Sequence, residues 1–191
     1  MQSKVRRIII NFGMLKTKEQ YRNESSNIWT SKNILMNETL ININLRDFLG
    51  TSKRIVMAYL AKKDEINILP SIKIEESLQV PYIYRNKIGR CKYSKELVYS
   101  DLGVPTPKII KVAGDLPDLI IVPGRYFDRF GNRIGRGKGH YDDFLKNHMA
   151  AVFVGISLHE TLVQILPNNL QDVKMDIIVT EKDVLEFKTE R

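Results

Sequence analysis

Little in this sequence invites covalent cross-linking or membrane insertion. A single cysteine, Cys91, stands among 191 residues, so no internal disulfide can form and no cysteine-based zinc set can assemble. A reducing, cytoplasmic compartment is the expectation. No apolar run approaches the roughly 18 residues of a membrane-spanning helix. There is no Pro/Gly/Ser-rich linker, internal repeat or low-complexity tract at which the chain would divide. Histidine is scarce, with three in all. His148 and His159 lack metal-ligand spacing, so surface or packing roles are expected for both. What is present, 43% hydrophobic and 27% charged residues, is enough apolar material for a globular, soluble chain rather than a disordered one.

The length supports one sizeable core and not two. The opening "MQSKVRRIIINFG" is basic, but its isoleucine cluster falls short of the roughly 7–15 apolar residues of a secretory signal. It reads as an extension over residues 1–15 ahead of a domain over residues 16–191. An organellar presequence is the alternative, because no acidic residue precedes Glu19.

Formal net charge is +8, which favours anionic partners: nucleic acid, a phosphorylated cofactor or a polycarboxylate substrate. Nucleic acid fits least well. Lys and Arg are spread among acids along the chain instead of clustering with aromatics, and no nucleic-acid-binding motif is present.

Two helices are predicted before Gly50, over "KTKEQYRNESSNIW" and "SKNILMNETLININLRDFL", the second with Ser31 as its candidate N-cap. Trp29, at the end of the first, is expected in the core. "RIVMAYL" (54–60) and "QVPYIYRN" (79–86) read as strands, and "ILPSIKIEESL" as a helix broken or begun at Pro70. Residues 87–111 are expected to hold short strands and loops. "PDLIIVPG" (117–124), "AAVFVGISL" (150–158) and "MDIIVT" (175–180) are apolar almost without interruption, which suits central strands covered on both faces. These runs predict a single three-layer α/β/α domain.

The segment "GNRIGRGKGHYDDFL" (131–145) places four glycines, three cations and two adjacent carboxylates between a predicted strand and a predicted helix. A helix entrance carries unpaired N–H groups and a positive dipole end. Gly135, Gly137 and Gly139 alternate, so the backbone can approach an anion closely, while Arg133, Arg136 and Lys138 supply charge. Asp142 is placed to hold a magnesium ion bridging phosphate oxygens. Asp143 beside it is expected to be solvated. The competing reading is a glycine-rich turn with solvated cations, since neither the Walker nor the dinucleotide fingerprint is matched.

"DLIIVPGRYFDRFGNRIGRGKGHYDDFL" resembles the signature of the 5-formyltetrahydrofolate cyclo-ligase (methenyltetrahydrofolate synthetase) family. "KEQYR", "YLAKKDEI", "GVPTP", "VGISLHE" and "LPNNLQDVKMDIIVTE" agree with it in chain order, so the likeness runs from about Lys16 to Glu181. The resemblance implies a largely parallel central sheet similar to the NagB/RpiA/CoA-transferase-like fold. It also implies ATP and magnesium as cofactors and a reduced folate, free or polyglutamylated, as substrate. The expected assembly is a monomer or weak homodimer, without nucleic acid or membrane.

Carried over residue by residue, the resemblance puts Lys18 and Arg22 on ATP phosphates, one helical turn apart on one face. Arg133, Gly135, Arg136, Gly137, Lys138, Gly139, His140 and Tyr141 form the nucleotide loop, with Arg136 and Lys138 as catalytic cations. Leu60, Glu65, Arg136, Lys138 and His140 contact the folate, and Asp142 and Asp176 serve magnesium. Departures from the family pattern are His140 for a tyrosine, Thr106 for an acidic or amide residue between the two prolines, and Thr161 where glutamine is common. The changes at His140 and Thr106 leave open an ATP-dependent ligase acting on a modified one-carbon carrier or another small substrate. A non-catalytic phosphate- or RNA-binding relative is the third reading, against which the retention of Lys18, Arg22, Asp142 and Asp176 together argues.

Overall fold

A computed structural model describes residues 16–51, 53–72, 78–100 and 103–187. Two helices open it. Helix α1 (Lys18–Ile28) is started by a capping box in which the Thr17 hydroxyl and the Gln20 side chain each satisfy the other's backbone N–H. Trp29, its C-cap, is buried, and its ring N–H donates to Arg125 O at 2.8 Å. Helix α2 (Ser31–Leu49) is capped by Thr30, whose hydroxyl accepts from Asn33 N. The predicted cap, Ser31, is instead the first helical residue, because the extended backbone a cap needs falls one position earlier. The segment at Pro70 forms only a one-turn 3-10 helix over Leu69–Ser71, and the rest of the predicted helix, at 73–77, lies outside the described residues.

Seven strands make the main sheet: β1 (Val56–Ala58), β2 (Leu78–Tyr84), β3 (Lys87–Lys92), β6 (Leu119–Pro123), β9 (Val152–Ile156), β11 (Ile177–Val179) and β12 (Val184–Glu186). Their spatial order is β12-β11-β9-β6-β1-β2-β3. The five inner strands pair in parallel, and the two edges, β3 and β12, pair antiparallel. The apolar runs divide cleanly by the two-residue period of a strand. Val56, Ala58, Leu119, Ile121, Val154 and Ile156 face one core with Ile34, Ile41 and Leu45 of α2. Met57, Ile120, Val122 and Phe153 face the other, with Phe144 and Leu145 of α3 (His140–Leu145). Each fully buried aliphatic or aromatic side chain here contributes about 1.5–3 kcal/mol.

The second outer layer differs from the long helices that a three-layer fold suggests. It consists of the six-residue α3 and a small sheet of β10 (Leu162–Val163), β7 (Tyr126–Asp128) and β8 (Arg133–Ile134). A separate hairpin joins β4 (Leu97–Tyr99) and β5 (Pro105–Pro107).

From β1 the chain adds β2 on one side, then returns to add β6, β9 and β11 in turn on the other. That reversal parts the loops leaving the carboxyl ends of β1 and β6, the place where open parallel sheets bind ligands. The site lies there.

Candidate active site

Tyr59 and Leu60 leave the end of β1, and Pro123 and Gly124 the end of β6. Between them opens a cleft of about 510 Å³. The hairpin β7–β8 folds back from β6 and delivers the glycine-rich loop to its rim. The motif's Phe-Asp is scaffold for this turn: Asp128, fully buried, accepts from Phe130 N, Asn132 N, Asn132 Nδ2 and Leu166 N at 2.8–2.9 Å. Four N–H donors thus satisfy both oxygens of this buried carboxyl group.

Two glycines in the loop lie close against arginine side chains. At Gly135 an added Cβ would lie 2.6 Å from a terminal guanidinium nitrogen of Arg133, and at Gly137, where φ is +92°, 3.1 Å from Arg22 Cζ. A side chain at Gly135 would have to push the Arg133 guanidinium aside, whereas Gly137 is favoured chiefly by its left-handed backbone, with Arg22 close beside it. Arg22, one turn along α1 from Lys18, donates through Nε to Gly135 O at 3.1 Å and fixes the loop to the helix.

Every predicted site residue lines the cleft except Asp176: Lys18, Arg22, Leu60, Glu65, Arg133, Gly135, Arg136, Gly137, Lys138, Gly139, His140, Tyr141 and Asp142 surround one volume. Asp176 is spent elsewhere. Its carboxylate accepts from Phe153 N at 2.7 Å, near the amino end of β9, so it is not brought beside Asp142. The acid that does share the wall with Asp142 is Asp172, and Asp142 Oδ1 lies 3.4 Å from the neighbouring Val173 N. Among the described residues no cluster of three or more metal-ligating side chains exists. Two carboxylates with phosphate oxygens satisfy magnesium, and Asp142 and Asp172 have the chemistry for it.

Four cations of the cleft, Lys18, Arg125, Arg133 and Arg136, are already paired with carboxylates of the chain. Lys18 forms a close ion pair with Asp172. Arg133, buried and with its Nε unpartnered among the described residues, places a terminal nitrogen 3.1 Å from Asp142 Oδ1 and its guanidinium over the Tyr141 ring. Arg136 meets Glu65 at 3.1 Å and Asp64 at 2.5 Å. Asp64 is in turn gripped by Arg125 through both its carboxylate and its carbonyl. Burial alone would push the Asp64 carboxyl up, but hydrogen bonds from Arg136 and Arg125 bring it down to about 2. Burial also lowers the Lys62 ammonium, with Arg136 adding to the effect, and raises the Tyr141 phenol.

Sequence reading missed Tyr59, Lys62, Asp64, Arg125, Asn169 and Asp172. "KKDEI" did show two adjacent acids after a strand, the available signal for Asp64. His140, the departure from tyrosine, meets Asn86 Oδ1 at 2.9 Å through Nε2, joining the loop to the β2–β3 turn. Thr106 sits in β5 with its hydroxyl buried and unpartnered among the described residues, and does not line the cleft. Thr161 is buried in hydrogen bonds with Ser157 and Leu158 O. His148 stacks on Phe144 and His159 pairs with Asp183, as expected of packing and surface roles.

Residues 45–181 match the model of the 5-formyltetrahydrofolate cyclo-ligase family. The chain belongs to that family. Among relatives, the 5-formyltetrahydrofolate cyclo-ligase of Saccharomyces cerevisiae is 35% identical over 109 residues, 52% of this chain and 51% of that protein. The Escherichia coli cyclo-ligase is 36% identical over 98 residues, 48% and 53% of the two chains. The probable cyclo-ligase of Caenorhabditis elegans is 33% identical over 78 residues, 38% of each. The chain thus spans between a third and about half of the length of the curated relatives it matches. Similarity to a solved structure runs further. The 5,10-methenyltetrahydrofolate synthetase of Aquifex aeolicus superposes with a TM-score of 0.75 at 25% identity, covering 91% of this chain and 94% of that one. The synthetase of Mycoplasma pneumoniae shares the fold at 17% identity, with a TM-score of 0.64 over 86% and 98% of the two chains.

Proposed function

We propose that this chain converts 5-formyltetrahydrofolate to 5,10-methenyltetrahydrofolate, consuming ATP and releasing ADP and phosphate. One observation carries the reading: a single cleft gathers the cations Lys18, Arg22, Arg133, Arg136 and Lys138 with a glycine-rich loop and includes Leu60 and Glu65 in the same lining. Family membership supplies the reaction class.

The γ-phosphoryl group passes to the formyl oxygen and ADP departs. The folate N10 then attacks the formyl carbon and gives up its proton. The bond between that carbon and the phosphorylated oxygen breaks, and phosphate leaves with the oxygen. Phosphoryl transfer is catalysed chiefly by positioning and charge neutralisation. Lys18, Arg22 and Arg133 would hold nucleotide phosphates, while Arg136 and Lys138 would meet the transferring group. Glu65 would accept from the ring N–H and amino donors of the pterin, with Leu60 packing beside it. Asp142 and Asp172 would hold magnesium, which when bound neutralises charge on phosphate oxygens.

The deciding measurement is the rise in near-ultraviolet absorbance of the methenyl product when protein, 5-formyltetrahydrofolate, ATP and magnesium are mixed. Absence of product without loss of fold would overturn the proposal. In Asp142→Asn the amide oxygen still accepts from Val173 N while the charge is lost. Turnover should therefore drop at least ten-fold and the magnesium requirement rise, with circular dichroism unchanged. Unaltered turnover at limiting magnesium would remove Asp142 from the site. A modified one-carbon carrier is the second reading, favoured by the smaller ring of His140 at the cleft wall; it predicts turnover only with that carrier.

A further inference from the structure

Glu65 is a carboxylate already occupied. Arg136 approaches its Oε1 through both Nε and a terminal nitrogen, each at 3.1 Å, while the other oxygen accepts from Lys62 N at 3.0 Å. The acid therefore cannot turn away, and its side chain is only 13% exposed. Asp64, the second partner of Arg136, is fixed too, since Arg125 binds both its carboxylate and its carbonyl. Arg125 is itself seated over the Trp29 ring, and its carbonyl accepts from Trp29 Nε1. Arg136, 39% exposed, is the partner carried by the glycine-rich loop, beside Gly137, and so the one within reach of a ligand seated at that loop.

A ligand that needs Glu65 Oε1 must displace Arg136, and Arg136 leaves only for something more anionic than the two acids that hold it. The phosphates expected at the same loop answer that description. We propose that Arg136 couples the two substrates: nucleotide phosphates draw it off Glu65 and so open the folate site, and Asp64 is the positioning residue that sets its resting place. This rests on the proposed function. Lys18 and Arg133 are paired within the chain as well, with Asp172 and Asp142, but neither acid is assigned to the folate, so of these three paired cations it is Arg136 whose withdrawal frees a folate-binding acid. By reciprocity, folate tightens nucleotide by the same factor.

The test is calorimetric titration of 5-formyltetrahydrofolate with and without a non-hydrolysable ATP analogue plus magnesium. In the wild type the analogue should tighten folate at least about five-fold, the lower end of common coupling. Arg136→Gln, which removes the charge drawn to phosphate, should bring that ratio to about one. In Asp64→Asn, which loosens the resting contact and leaves Arg136 in place, the ratio should fall between the two. Equal ratios in wild type and Arg136→Gln, or a wild-type ratio of one, would overturn the coupling while leaving the activity standing. A wild type that binds no folate in either state would overturn both.

Discussion

Asp64 shows how a residue that does not touch the cleft can decide its chemistry. Two guanidinium groups converge on one carboxylate, which holds it at about 2 when folded against about 3.9 in an unfolded chain. A carboxyl depressed on folding contributes stability that is fully present above the unfolded value and is lost as pH falls through the folded one. The window is therefore about pH 4 down to 2. Asp64→Asn should lower Tm at pH 7, and the gap from wild type should close as thermal unfolding is repeated toward pH 2. A gap that stays constant from pH 7 to pH 2 would show that the carboxyl's charge is not what stabilises. The same residue marks the limit of sequence reading: Arg125 and Arg136 reach it from 61 and 72 positions away, and Asp172 meets Lys18 across 154. No local spacing carries such pairs. The loop cations, Lys18 and Arg22 were legible because motif and helical spacing are local, whereas Asp176, picked from the same kind of resemblance, proved to be holding a strand backbone.

At the scale of elements, the parallel strands were legible because their apolar runs are too short for a buried helix and rich in β-branched residues, which suits a strand covered on both faces. The β7–β8 hairpin was not, since strands of two or three residues are too short to show a period and their pairing depends on a buried Asp128 bonded to Leu166 N. The loop from this hairpin into α3 makes a sharp prediction. Gly137 has φ +92° and its space is bounded by Arg22, so Gly137→Ala should cost roughly 1–2 kcal/mol from the backbone alone, or about 2–4 °C of Tm per kcal/mol in a chain of this size. Nucleotide affinity should fall with it, because the added methyl presses on the Arg22 side chain that ties the loop to α1. Gly114→Ala, where nothing lies within 4 Å and φ is ordinary, is the control and should leave both unchanged. Equal effects in the two variants would mean that the loop is not held in this shape.

For the whole molecule the relevant quantity is the match between its field and its ligands. The formal charge of +8 is reflected in the cleft, where seven cationic side chains line the wall with three carboxylates. Lys62 is lowered first by burial, with Arg136 adding to the effect, and an arriving anion would offset both. Such a field speeds capture of polyanions and is screened by salt, with a Debye length of about 10 Å at 0.1 M falling to about 3 Å at 1 M. ATP and the folate's glutamate carboxylates differ in how they sample it. A nucleotide seated against the loop, as proposed, would lie close to its cations and be screened weakly. A polyglutamate tail trailing from the cleft would meet the field over longer distances, where screening is strong. The KM for a long-tailed formylfolate should therefore rise more steeply between about 0.05 M and 0.5 M salt than the KM for the monoglutamate, while kcat changes little in either case. Parallel salt curves for the two folates would assign the surplus charge outside the cleft to some partner other than the substrate tail.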